Sequence, residues 1–412
     1  MGKAKKPKKA DFSQRESFDL VTQVAKSLKN PCYILEEAKL QENLEILSEV
    51  KAQSGAKILL ALKGFAFWSS FKMVAKYLDG ITASGYFEAR LGLEEFRKHN
   101  KNAIISVFSP AFSESEIKNI APFANHIIFN SFNQMMRFRH LVKKSHIALR
   151  INPLYSEVTP EIYNPCVKGS RLGIIPSEFQ KALKIYSLEG IKGLHFHTHC
   201  EQNSDVLERT LAFVEKYFGK YIKQMEWINF GGGHHITRKD YDRNLLVNII
   251  KKFKAKYGVE VFLEPGEAIG WQSGVLVGEV VDIVKNGFNI AITNLSAATQ
   301  MPDCLEMPYT PEIYNAKIIE NIEDFADSNE EKNIYRLGSP SCLAGDIIGD
   351  YAFANPLKIG DKIIIKDMIH YTIVKNNLFN GIPLPNLAIL RKNGKLKIVK
   401  SFNYNDYKRR NG

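Results

Sequence analysis

Two rhythms of apolar positions alternate along the middle of the chain. Short continuous apolar runs fall at 57–63, 79–84, 102–108, 126–131, 146–152, 193–199, 227–231 and 259–264. Stretches with helical spacing fill most gaps, at 86–98, 132–143, 177–188, 204–223 and 241–257. Strands buried on both faces read as continuous apolar runs. Strand and helix in alternation predict a parallel sheet. Eight units in about 210 residues predict a (β/α)8 TIM-like barrel, with a doubly wound open sheet as the alternative. Ahead of the barrel the pattern predicts a helix over 17–29, a short strand over 31–35 and an amphipathic helix over 37–52. Beyond residue 270 the runs at 275–284, 289–295, 316–322, 362–366, 371–374, 387–390 and 395–400 are short and β-rich. Asn393-Gly394 between the last two is a hairpin signal. The fold expected is therefore α/β, a barrel followed by a C-terminal all-β domain. The expected divisions are a partly disordered basic extension over 1–30, the barrel over 31–270, the β domain over 271–400 and a basic tail over 401–412. Residues 31–52 could pack on the β domain instead.

The net charge of +12 suggests nucleic acid until it is located. Residues 1–16 carry +4 and residues 391–412 carry +7, which leaves about +1 for the 374 residues between. The charge belongs to the ends, so a nucleic-acid partner is not expected. No run of 18 apolar residues occurs, so no membrane span is expected. The basic N-terminus lacks the apolar core of a secretory signal. Five scattered cysteines without a CxxC pair fit a reducing cytoplasm and no structural zinc.

Barrel enzymes build their active sites at the C-terminal ends of the strands. Those ends hold Lys63, Ser84, Asn130, Arg150 with Asn152, His197 with His199, Gly231 to Gly233, and Glu264. Lys63 closes the apolar run Lys57 to Leu62. It is either a solvated strand-end lysine or a desolvated amine able to form a Schiff base. Gly231-Gly232-Gly233 suits close approach of backbone to an anion such as phosphate, or a plain tight turn. Glu264 could accept a hydrogen bond from a protonated cofactor ring, or pair with a surface lysine. His195, His197 and His199 alternate and are expected to share a strand face. Three ligands on one strand fan apart, so no metal site is expected. Cys342, among small residues, is a candidate acid–base group or a buried small hydrophobe.

Taken together, the stretches Ala61 to Ala66, Gly193 to His197, Glu264-Pro265-Gly266-Glu267-Ala268, Met301-Pro302-Asp303 with Leu305 to Tyr309, and Cys342 to Asp346 resemble the pyridoxal-phosphate decarboxylases of the alanine-racemase-type fold. Within that family they look like the branch acting on carboxynorspermidine and carboxyspermidine. The resemblance runs from Pro31 to about Leu390. It implies pyridoxal 5′-phosphate bound by Lys63 as a Schiff base, stacked by His197, and paired at its ring nitrogen with Glu264. It implies that Gly231, Gly232, Gly233 and Tyr371 hold the phosphate. It also implies a homodimer with shared active sites, in which Cys342 reaches in from the partner subunit to protonate the α-carbon. Glu267, Asp303 and Asp346 would meet the substrate. Relatives that act on diaminopimelate look to have arginine where this chain has Glu267. A carboxylate there attracts an amine and repels a carboxylate. Leu343 stands where relatives carry an acidic residue, and Cys200 where they have a phosphate-binding serine. The expected activity is decarboxylation of a carboxylated polyamine, with diaminopimelate or ornithine as the alternative substrate.

Overall fold

Eight parallel strands close on themselves in a computed structural model that describes residues 20–325 and 333–412. Of the expected basic extension over 1–30, residues 1–19 lie outside the described residues. The chain divides into two compact units: Gln41–Trp271, and the described residues on either side of it. Strand β1 (Cys32–Glu36) belongs to the second unit. The barrel strands are β2 (Lys57–Ala61), β3 (Gly80–Ala83), β4 (Ile104–Phe108), β5 (His126–Phe129), β6 (His146–Arg150), β7 (Ile191–His195), β8 (Trp227–Asn229) and β9 (Glu260–Leu263). β2 pairs with β9 through Lys57 opposite Phe262 and Ile58 opposite Leu263, which closes the ring. The open-sheet alternative is thereby excluded.

Leu59, Ile128, Ala148, Trp227 and Phe262 pack together inside the barrel. Gly193 makes room for Trp227, because a Cβ on it would stand 2.3 Å from the indole. The long helices turn on capping residues. Asn203 caps Ser204–Ile222, Asp242 caps Arg243–Tyr257, and Gly258 at φ 70° ends the latter. Such side-chain caps stabilise a helix by about 1 kcal/mol each.

His126 stacks on Trp227 (ring centroids 4.5 Å) and on His146 (5.6 Å). Burial, and then the neighbouring His146, push its pKa down to about 4. The unfolded chain therefore binds a proton below pH ~6.5 that the folded chain refuses until about pH 4. Stability should fall as pH drops through that window, by at most about 1.4 kcal/mol per unit for this residue. His126→Phe keeps a stacking ring and should flatten the acid limb of a Tm-against-pH profile. An unchanged limb would show that His126 does not set it.

The second unit is a nine-stranded sheet ordered β12-β14-β13-β11-β10-β1-β16-β17, with β15 also on β10. Its strands are β10 (Gly274–Asn286), β11 (Phe288–Thr293), β12 (Ala316–Ile318), β13 (Ile334–Gly338), β14 (Ile347–Phe353), β15 (Lys362–Lys366), β16 (Asn386–Leu390) and β17 (Leu396–Lys400). β1 runs antiparallel to β10 and parallel to β16. Its apolar face joins Val21, Ala25, Val275, Val277, Ile364, Ala388 and Leu390 in a core. The Asn393-Gly394 hairpin is present, with Gly394 at φ 78°. The expected strand at 371–374 is instead the helix Tyr371–Lys375. The chain leaves β15 through Asp367 at φ 61°, which breaks the extended path. Thr372 then points inward and donates to Asp303 Oδ2 at 3.0 Å. The C-terminal tail carries a helix, Tyr404–Arg410, begun by a capping box of Asn403 and Asp406 and burying no residue.

Candidate active site

The end of β2 is pinned from both sides. The Ala61 N–H donates to Pro265 O at 2.9 Å, and the Leu62 N–H donates to Thr82 O at 3.1 Å. Lys63 follows at the barrel mouth. Its side chain is exposed, yet the walls of the mouth displace bulk water from the ammonium and lower its pKa. Arg150 lowers it further, against Glu264. Exposure here measures access and the lowered pKa measures poor solvation, so the two are compatible.

Glu264 ends β9 and is buried. Burial pushes its carboxyl up, but the charge and hydrogen bond of His195, with hydrogen bonds from Asn229 and Thr82, bring it below the usual carboxylate range. His195 Nε2 lies 3.2 Å from Glu264 Oε2, and Asn229 Nδ2 donates to Oε1 at 2.7 Å. Burial lowers the His195 pKa, against the charge and hydrogen bond of Glu264, which raise it. Phe108 stacks on His195 at 5.5 Å, and the Arg150 guanidinium lies over Phe108 at 4.6 Å.

His195, His197 and His199 do not share a face. β7 ends at His195, and the three rings go to different partners. His197 accepts the Gly232 N–H at Nδ1 (2.8 Å). Burial, with Lys63 and Arg150 nearby, holds its pKa well below the usual value, so it is neutral and carries its proton on Nε2. His199 packs on His234 at 4.8 Å. The glycine turn makes this crossing possible. Gly231 and Gly233 stand at φ 73° and 80°, and a Cβ on either would lie 2.5 Å from Phe196 O or 2.1 Å from His199 O. The Gly231 N–H is held by Asn229 Oδ1 at 2.8 Å, so two of the three amides serve the protein itself.

Other rim residues do structural work. Asn130 donates to Arg171 O at 2.7 Å and accepts from the Gly173 N–H at 2.7 Å. Asn152 donates to Leu172 O at 3.2 Å and accepts from the Leu154 N–H at 2.9 Å. Both brace the loop after β6. The Glu267 backbone packs against Gly64, the residue after Lys63.

In the second unit Asp303 is buried and accepts from Tyr309 Oη at 2.9 Å and Thr372 Oγ1 at 3.0 Å. Its Oδ1 has no partner among the described residues. Asp346 accepts from Ser296 Oγ at 2.6 Å, the Ala298 N–H at 2.9 Å and Ser341 Oγ. Cys342 is exposed, with Sγ 3.3 Å from Asn380 Oδ1. Tyr371 opens the helix whose Thr372 holds Asp303.

Among the described residues the barrel thus brings together Lys63, His197, Glu264, Glu267 and the glycine turn. Arg150 and His195 had shown only as polar or alternating positions, and Asn229 had given no signal.

A parallel barrel with a poorly solvated lysine facing an anchored carboxylate defines a pyridoxal-dependent decarboxylase, and residues 99–270 match the family model for the "pyridoxal-dependent decarboxylase, pyridoxal binding domain". The chain is 49% identical over 386 residues to the carboxynorspermidine/carboxyspermidine decarboxylase of Campylobacter jejuni subsp. jejuni, covering 93% of this chain and 99% of that one. It belongs to the carboxynorspermidine/carboxyspermidine decarboxylase family. A carboxyaminopropylagmatine decarboxylase of Synechocystis sp. is 41% identical, over 94% of this chain and 96% of its own. A crystal structure of carboxynorspermidine decarboxylase from Campylobacter jejuni, complexed with norspermidine, superimposes with a TM-score of 0.84 at 47% identity, covering 93% of this chain and 100% of that one.

The cofactor is pyridoxal 5′-phosphate, and the residues present fit it. Lys63 offers an amine of lowered pKa and Glu264 a buried anion, and the glycine turn packs so closely on the strand ends beside them that no Cβ fits. His199 Nδ1 and Nε2 are buried beside that turn without partners among the described residues.

Proposed function

We propose that this protein decarboxylates carboxynorspermidine and carboxyspermidine, giving norspermidine and spermidine for polyamine biosynthesis. The observation that carries this reading is the whole-length likeness to the Campylobacter jejuni enzyme crystallised with norspermidine. Glu267, whose backbone packs against Gly64, supports it, because a carboxylate at that position favours an amine over the distal carboxylate of diaminopimelate.

Lys63 would hold the cofactor covalently, and poor solvation of its amine favours the uncharged nucleophile. Pyridoxal phosphate, when bound, supplies the electron sink for the pair released as carbon dioxide departs. Glu264, kept anionic and fixed by Asn229 and His195, would favour a proton on the cofactor's ring nitrogen. His197, neutral and oriented by the Gly232 N–H, presents its ring face for stacking. Gly233 and Tyr371 hold the phosphate together with the turn formed by Gly231 and Gly232. In the reaction the bond between the α-carbon and its carboxyl group breaks, and a proton takes the place of carbon dioxide on that carbon. Cys342 donates this proton, from the partner subunit of a homodimer. Asp303 offers its unpartnered Oδ1 to the substrate, and Asp346 holds the Ser341 end of the segment that carries Cys342. No helix among the described residues is long and apolar enough to cross a membrane. The five cysteines are free thiols, which suits the cytoplasm.

Turnover by the purified holoenzyme tests the assignment. Carboxynorspermidine and carboxyspermidine should exceed diaminopimelate and ornithine by at least roughly 100-fold in kcat/KM, as expected when a site charge opposes the wrong substrate. Comparable turnover of diaminopimelate or ornithine, or a preference for carboxyaminopropylagmatine, would overturn it.

A further inference from the structure

A second cluster of polar groups lies at the N-terminal ends of the barrel strands, the end away from Lys63. A cavity of about 430 Å³ opens there, within the size range of small-molecule sites. Three neighbouring strands start at its wall, β4 with Ile104, β5 with His126 and β6 with His146. Arg97, Asn125 and Lys144 join them from the turns that lead into those strands.

The acceptors of this wall are largely spent, and its donors are not. Arg97 ties chain segments together: its Nε donates to Ala103 O at 3.1 Å, Nη1 to Phe123 O at 3.0 Å and Nη2 to Asn125 Oδ1. The same Asn125 oxygen accepts the Ile105 N–H at 2.9 Å. Asn125 O accepts the His146 N–H at 2.7 Å, and Ala124 O accepts from Ser145 Oγ at 2.7 Å. Trp227 Nε1 can only donate, and it does so to His146 Nδ1 at 3.3 Å, so the His146 proton sits on Nε2. Donors remain: the second N–H of each terminal Arg97 nitrogen, the Asn125 amide NH2, the His146 Nε2–H and the exposed Lys144 ammonium, which has no partner among the described residues. His126 is buried in the same wall, and its Nδ1 has no partner among the described residues. No carboxylate of the described residues lines the cavity. Glu226 lies outside the lining, paired with Lys192 and 3.9 Å from His146 Nδ1. Burial lowers the Arg97 pKa with no acid to offset it.

Two cations and a set of unspent donors around one space suit an anion. A phosphoryl group presents three strong acceptor oxygens to them, a carboxylate only two. We propose that Arg97, Asn125, Lys144 and His146 form a binding site for a phosphoryl group at the end of the barrel remote from Lys63. The ligand is inorganic phosphate or the phosphate of a small metabolite, which share this chemistry. Once bound it links the starts of β4, β5 and β6, and it stabilises the folded barrel by mass action.

The test titrates the holoenzyme by calorimetry with inorganic phosphate, ribose 5-phosphate and succinate, with sodium chloride at matched ionic strength as the control for screening. It compares wild type with Lys144→Gln and Asn125→Asp. Lys144 is exposed, so its replacement should leave fold and turnover unchanged. Asn125→Asp keeps the oxygen that Arg97 and Ile105 need and puts a repelling charge in place of the amide NH2. At least one phosphoryl compound should bind the wild type and raise its Tm. Both variants should weaken that binding by about 10-fold or more, as loss of a hydrogen bond to a charged group does. Tighter binding of ribose 5-phosphate would make the ligand a phosphorylated metabolite, and tighter binding of inorganic phosphate would make it the free ion. Succinate should bind more weakly than the better of the two. No heat beyond the chloride control, equal binding of succinate, or binding that both variants leave intact would overturn the site. So would inhibition competitive with carboxynorspermidine, because it would put the phosphoryl group at the mouth with Lys63.

Discussion

Lys63→Ala should lower kcat/KM on carboxynorspermidine by a factor on the order of 10,000 or more, the scale seen when a covalent nucleophile is removed. The reasons lie in its position. The chain just ahead of it is fixed by backbone bonds from Ala61 to Pro265 and from Leu62 to Thr82, which hold residue 63 at the barrel mouth. Its side chain is exposed and its amine poorly solvated, so the variant should melt within a few degrees of wild type. Wild type treated with borohydride should carry the pyridoxyl group on the peptide containing Lys63, and the variant should carry none. Full activity in the variant would reduce Lys63 to a strand-end lysine. The same variant tests the shared site. Mixed in equal amounts with Cys342→Ala and allowed to exchange subunits, half of the dimers become hybrids. Each hybrid holds one site with both Lys63 and Cys342, so activity should recover to about a quarter of wild type. Confirmed exchange without any recovery would place Cys342 outside the site or in the same subunit as its Lys63.

The barrel was legible because its signals are local. Each strand is a short apolar run, and a lysine or glutamate after such a run stands out. Residue patterns fail where a group earns its role through distant neighbours. Asn229 reads as an ordinary polar residue ahead of a glycine turn, yet it ties the Gly231 N–H to Glu264. Arg97, Asn125 and Lys144 sit in turns with no pattern, and their meeting depends on the order of strands around the ring. β13 and β14 escaped notice because Gly338 ends one, and Gly349 and Asp350 interrupt the other. The segment 371–374 misled through β-branched residues, whose preference for extended backbone yields to tertiary context. β1 joins a sheet whose other members lie far along the chain, and no local pattern reports a pairing at that separation.

Glu264→Gln should cost kcat roughly 100- to 1,000-fold, the range for loss of one preorganised electrostatic group, with KM changed much less. The glutamine side chain fills the same space and its oxygen can still accept from Asn229. What changes is the sign of the demand on the ring nitrogen: a carboxylate favours a proton there and an amide does not. Because the Glu264 pKa lies below the usual carboxylate range, the group is anionic throughout the neutral range, and its ionisation should leave no limb in the pH–rate profile above about pH 5. The substitution also reaches His195. The glutamine NH2 faces His195 Nε2, which must then accept, and the imidazole proton moves to Nδ1. That nitrogen is buried without a partner among the described residues. An unsatisfied buried donor costs about 1–3 kcal/mol, so Tm should fall as well. The two effects separate by comparison with Asn229→Ala, which loosens Glu264 but keeps its charge. If charge at the ring nitrogen governs the reaction, Asn229→Ala should lose stability to a similar degree while keeping much more of kcat. Equal losses of kcat in the two variants would mean that placement of the carboxylate, rather than its charge, sets the rate.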